Sequence, residues 1–310
     1  MYRRVAVPLD GSKESEQALR WAVTIARQSG CSLELLHAMF PPLASTELAG
    51  TPLLAGPPLD ELESAIRNRL RVLAAKVAAL GVGVEPIVID GTVPDGLIDH
   101  MQARGTDLVV MTTHDRNRLE RLLLGSMAAS IVRHTQLPVL LVRPEAVLRE
   151  ITSPVRVQHI LVPLDGSAFA DEILQHASEL ATVMRAELIL LSVLQPVLAV
   201  ATAALDTGPD PLVPLSNGAN ADGSARSLPE LDREAESLRA TRHLVVRTEV
   251  VAGGEPARAI VEYAKRHGVD LIAMTTHGRG ALKRLVAGSV SEAVIRTSKL
   301  PMLIIRPQVP

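Results

Sequence analysis

The short motif Asp-Gly-Ser closes two separate apolar runs of the chain. Asp10-Gly11-Ser12 follows Val7-Pro8-Leu9, and Asp165-Gly166-Ser167 follows Val162-Pro163-Leu164. A carboxylate at the end of a strand can accept both hydroxyls of a ribose. The same residue can also be a turn former or helix N-cap, with Gly and Ser continuing the turn. A second block carries glycines: Thr275-Thr276-His277-Gly278-Arg279-Gly280, followed by Gly288-Ser289-Val290. Glycine lets the backbone approach a phosphate, and N–H groups at a helix N-terminus bind anions without a lysine. Ser289-x-x-Glu292 also reads as a capping box. The two roles are compatible, because a capped helix start is where a phosphate would sit.

Other chemistries lack their residues. There is no G-x-x-x-x-G-K-[ST] run, so the chain is not a P-loop NTPase. No Cys/His cluster has metal spacing, and no paired carboxylates or nucleophile elbow occur. His114 and His277 recur at one repeat position and could act as bases, although shaping the turn explains them as well. Arg279, Lys283 and Arg284 could screen phosphates or form a solvated helical face.

Composition narrows the partners. The net charge of −2 divides evenly, with 16 Lys+Arg against 17 Asp+Glu in residues 1–150 and the same counts in the remainder. Aromatic residues are only 2%, so no basic, base-stacking face for nucleic acid is expected. The single Cys31 excludes an intramolecular disulfide and suits a reducing compartment. Leu188 to Leu205 is uncharged, but Ser192, Gln195, Pro196 and Thr202 interrupt it and its first half aligns with a strand. The expectation is a soluble, cytoplasmic protein with no membrane helix.

The elements that carry these motifs repeat. Val7–Ser12 returns as Val162–Ser167 at an offset of 155, and Met111-Thr112-Thr113-His114 returns as Met274–His277 at 163. Gly125-Ser126 and Leu137-Pro138 return at 163 as Gly288-Ser289 and Leu300-Pro301. The extra residues are assigned to the Pro/Gly/Asn-rich run from Pro196 to Pro229, whose counterpart is Pro41 to Pro58. Within the first copy, strands at Val5–Leu9, Leu33–Met39, Val84–Ile89, Leu108–Thr112 and Val139–Val142 alternate with helices. Those helices are read at Lys13–Gln28, at Leu59–Leu80, from about Pro94, and at about Ser126–His134. This alternation predicts two α/β domains, each a doubly wound parallel five-stranded sheet. The domains are placed at 1–144 and 157–310, with a linker at 145–156. Ligands of such sheets lie beyond the carboxyl ends of the strands, where the strand order reverses. Both motif blocks fall at such ends.

Taken together, these ordered blocks resemble the universal stress protein family in its tandem form. The family pattern is a strand-end Asp, then G-x₂-G-x₉-G-[ST] after strand four, closed by Val or Ile. The resemblance covers both halves and implies strand order 3-2-1-4-5. It also implies association through the last strands, Val139–Val142 with Met302–Ile305, as an intramolecular domain pair, with a homodimer as a further option. In the second copy it assigns Asp165 to the ribose, the backbone of Val193 to adenine, and Gly278, Gly288, Ser289 and Val290 to the phosphates. Thr275 stands at the family's first Gly, beside the ribose. The first copy keeps Asp10, Ala38, Gly125 and Ser126 as a weaker, degenerate site. Thr112 and Asp115 replace its first two glycines, and a carboxylate some 4 Å from a phosphate costs roughly 4 kcal/mol at an effective dielectric near 20. The implied ligand is ATP, with Mg as an optional companion, bound mainly in the second domain with little or no catalysis. A non-nucleotide interaction module and a slow nucleotide hydrolase are the alternatives.

Overall fold

The computed structural model describes residues 1–39, 59–90, 94–113, 125–145, 149–194, 226–276 and 289–307. Gly278, Gly288, His114, Asp115 and His277 lie outside the described residues. The chain divides into two compact units, with Val155 in the first and Arg156 in the second.

In the first unit the strands are β1 (Arg4–Pro8), β2 (Ser32–Met39), β3 (Val84–Asp90), β4 (Leu108–Thr112) and β5 (Val139–Val142). They are ordered β3-β2-β1-β4-β5 and all pair in parallel. Its helices are α1 (Lys13–Glu16), α2 (Ala18–Ser29), α3 (Leu59–Ala78), α4 (Asp95–Ala103) and α5 (Ser126–His134). The second unit repeats the plan. It has β6 (His159–Pro163), β7 (Glu187–Leu194), β8 (Val246–Ala252), β9 (Leu271–Thr275) and β10 (Met302–Ile305), with α6 (Ala168–Met184), α7 (Leu228–Arg242), α8 (Pro256–Arg266) and α9 (Ser289–Thr297). Its parallel order, β8-β7-β6-β9-β10, is 3-2-1-4-5 again.

The central strands form because their aliphatic side chains are covered on both faces. Val5, Val7, Val109, Leu140, Ile160, Leu190 and Ile272 are all fully buried. Such near-continuous apolar runs belong to parallel sheets rather than to one-sided antiparallel ones.

Two local features depart from the sequence reading. The helix expected over Lys13–Gln28 is two helices broken at Gln17, and the second extends to Ser29. The Gln17 N–H reaches only to Glu14 O at 3.1 Å, a tight 3₁₀-type turn. The reason is tertiary: the Glu145 N–H donates to Gln17 Oε1 at 2.7 Å, and Arg20 pairs with the Glu145 carboxylate at 2.8 Å. Further along the same face, Arg20 donates to Ser153 O and the Val155 N–H donates to Thr24 Oγ1 at 3.1 Å. The stretch after β5 therefore lies back against α2. The second departure is Glu34, a carboxylate only 1% exposed inside the apolar run of β2. Arg104 Nε donates to it at 2.9 Å, Arg4 Nε stands at 3.4 Å and His100 Nε2 at 3.7 Å. Burial is tolerated because two guanidinium groups from β1 and the end of α4 replace lost water. In the second unit the same register position holds Ile189, opposite Leu161 as Glu34 is opposite Ala6.

Candidate functional site

Both Asp-Gly-Ser blocks fold identically. Asp10 Oδ1 accepts the Ser12 N–H at 2.9 Å and the Ser12 hydroxyl at 2.6 Å, and Asp165 holds Ser167 at the same two distances. The turn needs a left-handed residue between them, supplied by Gly11 at φ 84° and Gly166 at φ 77°. Ser12 Oγ then caps α1 by accepting the Ser15 N–H at 3.0 Å. The turn reading of both aspartates is thus realised, whereas the N-cap positions fall on Ser12 and on Ser167, the latter without a side-chain cap bond, and both aspartates are partly exposed at a strand end.

Register places the remaining candidates around them. β6 pairs with β7 on one side and with β9 on the other. Asp165, Val193 and Thr275 therefore stand at the carboxyl ends of three neighbouring strands, where a doubly wound sheet binds its ligands. Ser289, exposed, and Val290, half-buried, open α9. Ser289 is the first residue of that helix. Ser291 Oγ donates to Thr276 O at 2.7 Å, which ties the start of α9 to the end of β9. The first unit matches this layout, with Asp10, Ala38 and Thr112 at the ends of β1, β2 and β4. Gly125 is buried as the N-cap of α5, and Ser126 is exposed as its first residue.

Other residues near these strand ends carried no sequence signal. Arg143 follows β5, and Arg306 follows β10 at the equivalent place. Arg143 Nη1 donates to Thr113 Oγ1 at 3.4 Å, and burial lowers the affinity of its guanidinium for the proton. The repeat offset of 163 was enough to pair these arginines, but the spacing alone gave them no role. Gly253 is another: its N–H donates to Leu194 O at 2.9 Å beside the Val193 strand end. A Cβ there would lie 2.7 Å from Ala259 Cβ and 3.4 Å from Val193 Cγ1. Ala259 belongs to a helix and cannot swing away. Gly253→Ala should therefore lower stability by about 1–3 kcal/mol, as overpacking does, and chemical denaturation would measure it. Among the described residues no group of three His, Cys, Asp or Glu side chains is placed to hold a metal ion.

A model of the Universal stress protein family matches residues 1–143 and again 156–306. The chain belongs to the universal stress protein family. Two universal stress proteins of Mycobacterium tuberculosis strain H37Rv are similar to it throughout. One is 28% identical over 314 residues, covering 97% of this chain and 96% of the relative. The other is 26% identical over 318 residues, with the same coverage. Among solved structures, a universal stress protein from Archaeoglobus fulgidus superposes with a TM-score of 0.67 at 20% identity, covering 98% of this chain and 96% of that one. At that identity the likeness speaks for the universal stress protein fold, in tandem. No helix among the described residues is long and apolar enough to cross a membrane.

Proposed function

We propose that this universal stress protein is a cytoplasmic, stress-associated regulator that binds ATP or a related adenine nucleotide in its second unit, with little or no turnover. The observation that carries this reading is the convergence of Asp165, Val193 and Thr275 at adjacent strand ends, next to a helix opening on exposed Ser289. In this reading Asp165 takes the ribose, the Val193 backbone the adenine edge, and Gly278, Gly288, Ser289 and Val290 the phosphates, with Mg as an optional companion. The first unit, with Asp10, Ala38, Gly125 and Ser126, is the weaker site. Thr275 favours a second reading, an interaction module without nucleotide, because it puts a half-buried side chain where the family pattern has Gly.

Calorimetry with ATP is expected to give one site per chain. Gly288→Asp should weaken it at least a hundredfold by placing a carboxylate among the phosphates, while Gly125→Asp should leave it unchanged. Loss of binding with Gly125→Asp alone would reverse the assignment of units. No nucleotide released from the purified protein on denaturation, and no calorimetric heat, would favour the interaction module.

The same reading includes a structural role for the first unit. β5 and β10 are the outer strands of their own sheets, and uncovered edges of that kind invite pairing with other chains. We propose that they associate, so that one chain takes the part of a dimer.

A further inference from the structure

The amino end of the second unit's sheet gathers cations. All five strands run parallel, so each helix returns its C-terminus to that end. Backbone bonds knit the turns together there: the Glu187 N–H donates to Gln158 O at 2.8 Å, that of Leu188 to Val245 O at 2.9 Å and that of Asp270 to His159 O at 3.0 Å. Arg185 follows α6, Arg242 ends α7, Lys265 and Arg296 lie in the last turns of α8 and α9, and Lys299 comes just after α9. Arg242 is half-buried and the others are exposed. Among the described residues none of them forms an ion pair. The carboxylates nearby are engaged. Asp270 accepts the Gln158 and His159 N–H groups at 2.7 and 3.0 Å, Glu187 faces His159 and Arg247, and Glu262 holds Arg258 at 2.7 Å.

Helix polarity welcomes cations at any helix C-terminus, but two backbone positions go beyond it. Arg185 at φ 55° and His243 at φ 54° are the only non-glycine residues in the left-handed region among the described residues. The repeat puts Gly30, at φ 76°, in the place of Arg185 and Gly81, at φ 79°, in that of His243. At either glycine a side chain would point into open space. Left-handed backbone is unfavourable for residues other than glycine. The second unit therefore holds a guanidinium and an imidazole outward at a cost that the first unit avoids, and outliers of that kind gather at functional sites. The first unit also turns its cations inward at this end. Arg4 and Arg104 close on Glu34, and Arg3 pairs with Asp107, which leaves Arg27 and Lys76 without ion pairs.

Right-handed crossovers and the reversal of strand order put α6 and α7 on one face of the sheet, α8 and α9 on the other. We infer that this end docks an acidic segment of a partner protein. Its carboxylates reach Arg185, Arg242 and His243 on one side and Lys265, Arg296 and Lys299 on the other. Guanidinium groups suit carboxylates because they offer paired N–H donors. Nucleic acid fits less well, since Tyr263 of α8 is 1% exposed and offers no face to a base. A bilayer also fits less well. Among the described residues of this unit Val245 is the only large apolar side chain that is exposed, and a basic patch alone holds a membrane weakly. Asp165 lies at the opposite ends of the strands, so the inference stands whether or not the second unit binds nucleotide.

Four probes test it on the full chain: a labelled dodecapeptide of alternating Glu and Gly, its Gln counterpart, a thymidine dodecanucleotide, and phosphatidylserine vesicles. Fluorescence anisotropy reads the first three and co-sedimentation the vesicles. The Glu peptide should bind about tenfold tighter than the Gln peptide, and should lose roughly that advantage as salt rises from about 50 to about 300 mM. Arg296→Glu with Lys299→Glu should weaken it about tenfold, whereas Arg27→Glu with Lys76→Glu in the first unit should leave it unchanged. Arg185→Gly with His243→Gly separates binding from folding. That variant should melt no lower than the parent, because glycine relieves the left-handed backbone, yet hold the Glu peptide about fivefold more weakly. Each of four results would overturn the inference: no binding of the Glu peptide, full affinity in the glycine variant, an equal loss from the first-unit pair, or tighter binding of the oligonucleotide or the vesicles.

Discussion

Replacing Glu34 with Ala should destabilise the first unit by about 3 kcal/mol, near the lower end of what breaking a buried ion pair costs. The carboxylate is 1% exposed, and it is the common partner of Arg4, Arg104 and His100. Without it, two guanidinium groups are left side by side over a new apolar hollow. Their own exposure, 33% for Arg4 and 40% for Arg104, lets water reach them and keeps the loss from the top of the range. The second unit suggests the repair. Since Ile189 fills the equivalent position there, Glu34→Ile together with Arg104→Met should recover much of what either change loses alone. Non-additivity of that kind is what a shared network produces. Trp21 is the only tryptophan and lies buried in α2, so its fluorescence reports the melting of the first unit separately. A shift in Glu34→Ala corresponding to less than about 1 kcal/mol would mean the cluster is fully solvated in practice, as exposed ion pairs are.

Glu34 also shows where the sequence stops being legible. The strands could be read from short aliphatic runs because a parallel sheet buries both faces, and each run needs no distant information. The repeat then fixed the number of sheets, since identical six-residue blocks imply identical local folds. Glu34 sits inside such a run, and its partners come from Arg4, His100 and Arg104, up to 70 residues away. No local period encodes that. The break at Gln17 is similar: the 13–28 pattern is helical throughout, and the residue that interrupts it is bound by Glu145, 128 positions on. The aspartate turns were legible in kind, because Asp-Gly-Ser forms its hydrogen bonds within three residues. The ion pair between Arg69 of α3 and Glu16 of α1 was not legible either, since it spans 53 positions. The phosphate-side glycines Gly278 and Gly288 rest on sequence pattern alone.

The remaining large effect concerns the second unit on its own. A chain of residues 156–310 should form a homodimer or aggregate, not a stable monomer. β10 lies at the end of the order β8-β7-β6-β9-β10, paired with β9 through Met302↔Ile272 to Ile305↔Thr275. Its other side is a row of backbone N–H and C=O groups flanked by Met302, Leu303, Ile304 and Ile305, with no charge, proline or bulge to deter another strand. β5, with Val139-Leu140-Leu141-Val142, offers the same kind of edge, and supplying it from within the chain raises its effective concentration into the millimolar range for a short linker. If β5 and β10 associate as proposed, removing the first unit takes that partner away and leaves an identical β10 on another molecule as the best substitute. A two-fold pairing of like edges is also the commonest closed symmetry. Sedimentation velocity should therefore find a dimer or larger species for 156–310 at micromolar concentration, and its melting temperature should rise with concentration. Swapping Leu303 for Lys would bury a charge in the core and confuse the result. The cleaner variant is Ile304→Pro, which removes one strand N–H. Pro301 O and Ile305 O are the acceptors turned toward β9, so the Ile304 N–H faces the free edge and its loss should shift 156–310 toward monomer. A monomeric 156–310 that melts as the second unit does in the full chain would remove the structural reason for keeping the first unit.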